Sequence, residues 1–488
     1  MLKSLAHAVY NNASTIALNK AEKVRGALAQ RTFGAYKVKY QAYSEKEQKK
    51  DEHVLSSKDE LMLERVQRAH FQYFLDYQNK DTGLIHDRTR KSPATIAGVG
   101  FALAAYPIAV KRQWISRADA VEYTLKVLRI LSTVPQSEAA SGANGYRGFF
   151  YHFLDPDTGV RAVSPKWWNS ELSSLDTALL MAGVRFARNY YLRDTSSEAE
   201  IRKLADTLYD RVDWHWLMRD SKLIGHGWSP ESGLIKHDYH GYSEALLLYL
   251  LAIGSDTHPL PPESWAALFK DNQEATYYKQ HYIAMPGTPL FCYQYPHCFV
   301  DFRGIKDDIN RRIGIDYFQN SVRATKAQYQ YAIENPKGFK DYSALDWGLT
   351  ACDGPGDFKK SWNGKEIEFR GYSERGCPAG FDDGTIAPTA AASALPYLPE
   401  ASLKTMRHWL EKRPEIFSMH GFADAFNPTF DPSKPSGWVD PERLAIDQGP
   451  IVIMIENFRS GFPWWVMSGD SVIRRGLKRA GFKGGWLD

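Results

Sequence analysis

The stretch 241–251 reads Gly-Tyr-Ser-Glu-Ala-Leu-Leu-Leu-Tyr-Leu-Leu and places a carboxylate directly before an unbroken apolar run. A helix that is apolar on nearly every face is buried, so this run predicts an internal helix. Ser243 suits its N-cap, because a serine hydroxyl accepts a hydrogen bond from the free N–H groups of the first turn. Glu244 then lies at the mouth of a buried helix, where a glutamate without a partner is rare.

Other acids precede apolar stretches in the same way. They are Asp87 before 93–105, Glu171 and Asp176 at the start of 172–187, Asp383 before 386–395, and Asp447 before 451–455. One such acid is explained by its interaction with the helix dipole. The recurrence of the pattern instead indicates acids gathered for a common purpose.

The apolar helices alternate with amphipathic ones, whose apolar residues recur at three- and four-residue spacing. This alternation predicts an all-α protein with two layers, in which apolar helices line the inside and amphipathic helices wrap it. The six predicted pairs are 59–78 with 93–111, 116–132 with 172–192, 197–212 with 241–253, 261–272 with 308–334, 386–396 with 400–413, and 447–459 with 470–481. Six pairs closed in a ring make an (α/α)6 barrel, and its acids converge at the mouth formed by the inner helix N-termini.

These pairs define one domain at 58–488, preceded by a polar N-terminal helical extension at 1–57. The charge is nearly balanced, with 61 basic and 57 acidic residues, which gives no nucleic-acid footprint. No stretch is apolar enough for a membrane span. Lys3 is followed by no clean apolar core, so the sequence favours a cytoplasmic protein without a signal peptide. We expect a monomer or a weak oligomer.

Four cysteines are too few for a disulfide scaffold in a chain of 488 residues. Cys292 and Cys298 flank His297, which invites a zinc interpretation, but the spacing fits no strong zinc pattern. We therefore expect core or loop cysteines, no metal and no other cofactor.

Aromatic residues make up 13% of the chain, with 14 Trp and 27 Tyr, and many fall in the loops between helices. Aromatic rings in a core need no special explanation. Rings that lie in loops beside acids and arginines are also typical of sugar sites, where a flat ring covers the apolar face of a pyranose and polar groups bind its hydroxyls.

Ten stretches in consecutive order resemble the glycoamylase-like domain of the β-1,2-glucanases, typified by glycoside hydrolase family 144 and relatives such as families 162 and 189. They are 81–88, 148–154, 171–180, 225–231, 241–246, 301–304, 347–355, 382–389, 421–427 and 446–450. The resemblance covers roughly residues 60–482. It implies an (α/α)6 barrel, acid–base catalysis without metal and β-1,2-linked glucan or glucooligosaccharides as the substrate. Relatives commonly act in the periplasm.

By position, the resemblance makes Glu244 the general acid and Asp424 the general base, with Glu171, Asp176, Asp383 and Asp447 as alternatives. The candidate substrate-binding residues are polar or aromatic groups within or beside the matching motifs. They are Arg88, His152, His226, Trp228, Tyr242, Gln294, His297, Arg303, Trp347 and Asp353. Each has a structural alternative, such as core packing or a turn hydrogen bond.

Glycosidases need one protonated and one ionised carboxyl group around the scissile bond. A helix N-terminus lowers the pKa of a nearby acid, whereas burial and neighbouring carboxylates raise it. We expect the second effect to dominate at Glu244. The leading hypothesis is an inverting endo-hydrolase of β-1,2-glucan. The alternatives are a retaining transglycosylase on the same glucan, a polysaccharide lyase, which the acid-rich mouth disfavours, and a non-catalytic glucan-binding protein.

Overall fold

The computed structural model describes residues 34, 37–45, 55–271, 273–285 and 287–488. Most of the predicted N-terminal extension lies outside the described residues. Residues 37–45 are helical and contact the barrel, because the Tyr40 hydroxyl donates to the Asp301 carboxylate (2.7 Å) and the Tyr43 hydroxyl donates to the Arg303 carbonyl (2.8 Å).

From residue 55 onward the described chain is mainly helical. The helices are α1 (Ser57–Asp76), α2 (Ile96–Lys111), α3 (Arg117–Thr133), α4 (Ser174–Tyr190), α5 (Ser196–Asp210), α6 (Leu246–Gly254), α7 (Glu263–Leu268), α8 (Tyr295–Phe299), α9 (Asp308–Ile313), α10 (Tyr317–Glu334), α11 (Pro388–Ala392), α12 (Pro399–Lys412), α13 (Ala445–Ser460), α14 (Phe462–Ser468) and α15 (Ser471–Arg479). Short 3-10 turns span Trp214–Leu217, Leu290–Tyr293 and Pro414–Ile416.

Six helices, α2, α4, α6, α8, α11 and α13, form the inner ring. Helix α2 packs against α4 and α13, α6 packs against α4 and α8, and α13 also packs against α8 and α11. All nine residues of α6 are buried, as expected for an apolar run. Gly100 and Gly183 allow α2 and α4 to touch, since a Cβ at Gly183 would lie 2.0 Å from the Gly100 carbonyl oxygen.

The outer layer consists of α1, α3, α5, α10, α12 and α15. Helix α1 packs on α2 and α13, α3 on α2, α5 on α4, α12 on α11, and α15 on α6. The amphipathic character of these helices follows from this placement, because one face covers the inner ring and the other meets solvent. The (α/α)6 barrel predicted from the sequence is thereby confirmed.

Two details of the helix prediction are wrong. The fourth inner helix is α8 rather than 308–334, which forms α9 and α10 outside the ring; α8 was missed because it has only five residues. Ser243 is not the N-cap of α6, because that helix begins at Leu246 with Ala245 as its N-cap. The Ser243 hydroxyl instead accepts from the Ala245 N–H in the preceding turn (3.3 Å).

Short strands, which the sequence analysis did not predict, connect the loops. They are β1 (Ala94–Thr95), β2 (Gly145–Tyr146), β3 (Phe149–Tyr151), β4 (Phe153–Leu154), β5 (Leu172–Ser173), β6 (Gly227–Ser229), β7 (Gly233–Leu234), β8 (Gln273–Tyr277), β9 (Gln280–Ala284), β10 (Phe358–Trp362), β11 (Lys365–Phe369), β12 (Phe417–Ser418), β13 (Gly421–Phe422), β14 (Phe426–Asn427) and β15 (Trp438–Val439).

The largest sheet is antiparallel, with the order β2-β3-β5-β6-β7. Strand β5 leads directly into α4, and its Leu172 pairs with Trp228 of β6. The sheet therefore fixes the loops at the N-terminal end of α4. In the part of the chain that the structure describes, we find no helix long and apolar enough to cross a membrane.

Candidate active site

Acids from several inner helices meet at the N-terminal mouth of the barrel. Asp176 and Asp447 lie in the first turns of α4 and α13, and Glu244 lies two residues before the start of α6. The carboxylate of Asp176 interacts electrostatically with Glu244, and that of Asp87 interacts with Asp447. The predicted convergence of these acids is confirmed.

Glu244 has the environment that a proton donor requires. Only 8% of the residue is exposed, and its Oε2 accepts a hydrogen bond from the Cys292 thiol (3.0 Å). Burial raises the pKa of Glu244, and the negative charges of Glu374 and Asp176 add to that effect. A raised pKa agrees with the expectation from the sequence, because the effect of burial on the pKa of Glu244 outweighs that of the helix N-terminus.

Asp424 lies in the turn between β13 and β14 and is buried. Its Oδ2 accepts the Asp353 backbone N–H (2.6 Å), and its carboxyl lies beside that of Asp447, with which it interacts electrostatically. Asp424 Oδ1 and Asp447 Oδ2 are both buried without a hydrogen-bond partner among the described residues, and two neighbouring buried carboxyls are stabilised when one of them holds a proton. Burial and then the Asp447 charge raise the pKa of Asp424 well above its usual range.

Asp447 is the second member of this pair. Burial raises the pKa of Asp447 to about 7, with further contributions from the negative charges of Asp353, Asp87 and Asp440. Asp447 can therefore gain or lose a proton near neutral pH, which suits an acid–base centre.

Two more acids border the Asp424–Asp447 pair. Asp353 forms an ion pair with Arg88 (2.8 Å), which also binds Asp87 (3.0 Å). Asp440 follows β15 and is buried. The sequence analysis missed Asp440, because it precedes a proline in a loop and starts no apolar helix.

Asp353, Asp424 and Asp440 are the one group of His, Cys, Asp or Glu side chains in the described residues whose ligand atoms lie close enough together, within 4.8 Å, to share a cation. Arg88 already neutralises Asp353, and the Asp353 N–H already occupies one oxygen of Asp424. Protons and Arg88 thus satisfy the charge, and we assign no ion to the group.

A histidine–carboxylate cluster stands beside Glu244. His152 Nδ1 lies 2.8 Å from Glu171 Oε1, and its Nε2 lies 3.5 Å from Asp176 Oδ1. Burial alone disfavours the charged imidazole, but the carboxylates of Asp176, Glu171 and Asp87 outweigh it and raise the pKa of His152 to about 9. Burial also disfavours the ionised form of Glu171, yet the hydrogen bond from His152 lowers the pKa of Glu171. Glu171 is thus an ionised partner of a cationic histidine.

Aromatic side chains surround the carboxyls. Tyr295, at the start of α8, interacts electrostatically with both Asp447 and Glu244 and thus lies between them. His226 stacks on Tyr239 (4.1 Å between ring centroids), and Tyr239 interacts with Glu244 and Asp176.

Two exposed aromatic residues border the site. Tyr372 is 68% exposed and interacts with Asp424 and Asp447. Trp168 is 49% exposed and contacts Phe153 (4.9 Å), which stacks on His152 (3.9 Å). Tyr372 and Glu374 were not proposed for the site from the sequence, since no helical periodicity marks them.

Four of the ten substrate-binding candidates, Arg88, His152, His226 and Asp353, lie around these acids. Trp228 is half-buried on β6, where it packs against Tyr146 (5.4 Å) and Trp216 (5.9 Å). The sheet places it next to the loops of the mouth but does not bring it to the carboxyls.

The other five candidates have structural contacts that remove them from the site. Tyr242 is buried and stacks on Tyr293 (5.0 Å), and the buried Trp347 donates to Thr405 (2.8 Å). The Gln294 amide donates to the Ala390 carbonyl (2.7 Å), which joins the chain before α8 to α11. These three side chains face the core, a direction that loop sequences do not reveal.

His297 and Arg303 complete this set. His297 is fully buried on α8, where Nε2 lies 3.0 Å from the Ser321 hydroxyl. Arg303 follows the C-terminal end of α8 and makes two hydrogen bonds of 2.8 Å to Asp301. Because the site lies at the N-terminal ends of the inner helices, Arg303 is at the wrong end of the barrel.

Among the alternative acids, Asp383 lies near the Asp424–Asp447 pair, since all three interact electrostatically with the Cys352 thiol, but an arginine binds it. Its two oxygens accept from the buried Arg375 guanidinium (2.9 Å each), and Oδ1 also accepts the Thr385 N–H (3.1 Å). Both side chains of this ion pair are fully buried. Asp383 therefore shapes the loop before α11 rather than facing a substrate.

The fold and the site define a class: an (α/α)6 barrel with a buried, proton-holding Glu and a group of buried Asp residues at the N-terminal mouth. The family model described as "Putative glucoamylase" matches residues 236–470. A solved structure described as a "putative glucoamylase", from Bacteroides uniformis, is 31% identical, with a TM-score of 0.77, and the match covers 90% of this chain and 100% of that one. The protein belongs to this glycoamylase-like family.

Two further relatives have more specific names. The endo-β-1,2-glucanase of Chitinophaga pinensis, solved with sophorotriose and glucose, is 27% identical with a TM-score of 0.75, and the match covers 89% of this chain and 100% of that one. The exo-β-1,2-glucooligosaccharide sophorohydrolase (non-reducing end) of Parabacteroides distasonis is 28% identical over 86% of this chain. The chain spans 58% of the length of that relative.

Proposed function

We propose that the protein is a glycoside hydrolase that degrades β-1,2-glucan by acid–base catalysis. The observation that carries the proposal is the arrangement, at one mouth, of the buried Glu244 and the adjacent buried carboxyls of Asp424 and Asp447, since burial raises the pKa of all three. The names of the two relatives, one an endo-glucanase and one a sophorohydrolase, support the substrate class.

Glu244 is the general acid. Its proton passes to the glycosidic oxygen as the bond to the anomeric carbon breaks. Burial keeps this proton in place near neutral pH, and the carboxylates of Glu374 and Asp176 assist. His152 forms ion pairs with Glu171 and Asp176, whereas no cation among the described residues pairs with Glu244.

Asp424 is the general base. It accepts a proton from water while the water oxygen bonds to the anomeric carbon, which inverts the configuration. Asp447 assists as the neighbouring carboxyl, whose negative charge raises the pKa of Asp424, and the Asp353 N–H fixes one oxygen of Asp424. Asp447 is the alternative base, because its first-turn position also points it at the mouth.

Endo action fits the placement of the exposed rings. Trp168 stands beside His152 and Tyr372 stands beside Asp424, so sugar contacts are available on two sides of the reacting carboxyls. An aromatic ring covers the C–H face of a pyranose, and a chain that extends past both rings is cleaved internally.

The test is incubation of the protein with linear β-1,2-glucan, with products followed by size and by anomer-resolved NMR. Short β-1,2-glucooligosaccharides with the α-anomer formed first support an inverting endo-hydrolase. Release of disaccharide alone indicates an exo-acting enzyme. Formation of the β-anomer first, or of longer chains, indicates a retaining transglycosylase. Turnover that is absent from every β-1,2-glucan contradicts the proposal, and binding without turnover identifies a glucan-binding protein.

Substitution of Glu244 tests whether this residue is the proton donor. Glu244→Gln keeps the shape and removes the proton, so kcat falls by about 10²- to 10⁴-fold. Glu122→Gln, which changes an exposed side chain, is the matched control with unchanged kcat. Activity of Glu244→Gln like that of the wild type removes this assignment.

A further inference from the structure

Asp440 is a buried carboxyl whose pairing is incomplete. The residue is 3% exposed, and its Oδ1 accepts the Glu442 N–H (3.0 Å). Its Oδ2 is buried without a hydrogen-bond partner in the described part of the chain. A polar atom buried in this way costs free energy and needs an explanation.

Outside the site, the buried Asp470 is fully paired. Asp470 binds Arg185 (2.8 Å) and Asn189 (2.7 Å) and accepts the N–H groups of Val472 and Ile473 (2.9 Å each). Such an acid stabilises the fold because its charge is neutralised. Asp440 lacks this pairing, so a purely structural role leaves its burial unexplained.

The backbone holds Asp440 beside the proposed base. The Asp440 N–H donates to the Ala425 carbonyl (2.9 Å), and the Asp424 N–H donates to the Glu442 carbonyl (3.1 Å). These two bonds tie the segments together on either side of the carboxyls. Oxygens of Asp440, Asp424 and Asp353 consequently lie within 4.8 Å of one another.

The charges around Asp440 are mostly negative. Asp424 and Asp353 face it from neighbouring loops, Asp447 interacts with it from α13, and Glu442 lies on its own segment. Arg88 is engaged by Asp87 and Asp353. Arg443 interacts electrostatically with Asp440, but its Nη1 donates to the Pro441 carbonyl (3.0 Å). The Asp440 charge is thus felt mainly by other carboxyls.

We propose that Asp440 is a positioning residue that sets the proton occupancy of the Asp424–Asp447 pair, and with it the pH at which Asp424 becomes a general base. The proposal rests on the proposed function. Burial, and then the charge of Asp424, raises the pKa of Asp440 to about 8, so Asp440 becomes ionised on the alkaline side of neutrality. Once Asp440 is ionised, repulsion between like charges makes Asp424 hold a proton more tightly, and therefore makes it a stronger base. In the reaction Asp424 gains the proton of water and Glu244 loses its own, and both are restored by exchange with solvent.

The test is the pH dependence of kcat/KM for Asp440→Asn. At an effective dielectric constant of about 20, an ionised group about 5 Å away changes a pKa by about two units. The acid limb of the profile therefore moves to lower pH by up to about that amount. Relative activity at a pH on that limb rises by up to about 100-fold, while kcat at higher pH falls because the base is weaker. An unmoved limb in a folded variant overturns the proposal.

Asp307→Asn is the matched control. Asp307 is also buried, and burial raises its pKa too, but its partners are Trp265 and Tyr317 on the outer side of the barrel. The same chemical change there leaves the acid limb in place. If Asp440→Asn fails to fold, Asp440→Ser, which keeps a small acceptor for the Glu442 N–H, replaces it.

A second readout separates this proposal from the proposed function. Infrared difference spectra between acid and alkaline pH detect protonated carboxyls without substrate. In Asp440→Asn, one carboxyl band disappears and the bands of the remaining pair titrate at lower pH. Unchanged titration of those bands overturns the role of Asp440 even if glucan is cleaved, and shifted titration supports it even if glucan is not. Tight calcium or magnesium binding by the wild type that Asp440→Asn abolishes also overturns it.

Discussion

Replacement of Asp447 by Asn should stabilise the protein in alkaline solution while it abolishes turnover. Burial raises the pKa of Asp447 to about 7 in the folded protein, against an ordinary value of about 3.9 in the unfolded chain. Between these values the folded state keeps a proton that the unfolded chain releases, so stability falls as the pH rises through this range. Asn carries no charge and lacks this pH dependence.

The magnitude follows from the shift. About three pKa units at about 1.4 kcal/mol each give an upper figure of about 4 kcal/mol. Asp424 shares the proton, so we expect about 2–4 kcal/mol. The Asn amide donates to Asp424 and preserves that contact. Asp447→Asn should therefore differ least from the wild type near pH 4.5, by about 1 kcal/mol or less, exceed it by several degrees in Tm at pH 8, and lose catalytic activity.

Thermal unfolding of both proteins from pH 4.5 to pH 9 is the assay. Asp470→Asn is the control with the opposite sign, because Arg185 outweighs burial and lowers the pKa of Asp470. The stability that Asp470 contributes is present above its ordinary pKa and is lost as the pH falls, so its Asn variant is destabilised at neutral pH. The reasoning is refuted if Asp447→Asn shows a constant Tm difference at every pH, or is destabilised at pH 8.

Three further predictions concern individual contacts of the site. Cys292→Ala removes the thiol that donates to Glu244, and that hydrogen bond lowers the pKa of Glu244. The alkaline limb of the pH profile of kcat/KM should therefore move to higher pH. A limb that stays in place or moves to lower pH contradicts the assignment of Glu244 as the general acid. His152→Gln removes a cation whose pKa is raised to about 9, so the substitution should lower Tm at pH 6 and have little effect on Tm at pH 10. An equal decrease in Tm at both pH values would contradict this prediction. Tyr372→Ala should raise KM about 10-fold with Tm preserved, which is on the order of the energy of one sugar–ring contact. The control Met419→Ala changes another exposed apolar side chain (66% exposed) and should leave KM unchanged. Equal effects of the two substitutions on KM would exclude a sugar platform at Tyr372.

Local patterns determined most of the barrel. Apolar runs such as 246–251 have to be buried, and an acid that precedes such a run lies at the helix N-terminus wherever the helix packs. Glu244, Asp176 and Asp447 were therefore placed correctly at the mouth from sequence. The fourth inner helix, α8, was not predicted because it has only five residues, with Pro296 among them, which are too few to show a helical period.

The direction of loop side chains was decided only by the tertiary structure. Tyr242 and Trp347 lie in stretches that resemble the family's motifs, yet both pack in the core, because a turn has no periodicity from which to infer its buried side. The sequence also offered Asp383 and Asp424 as similar acids. A buried arginine neutralises the first, whereas the second lies beside other carboxyls and accepts a backbone N–H.

What the sequence by itself determined, then, was the helical layers and the acids at the starts of the inner helices, since both depend on neighbours along the chain. What only the tertiary structure decided was the proton chemistry of those acids. Asp424 receives the N–H of a residue 71 positions away and is tied by backbone hydrogen bonds to the Asp440 segment, and its pKa depends on the charges that burial brings within a few ångströms.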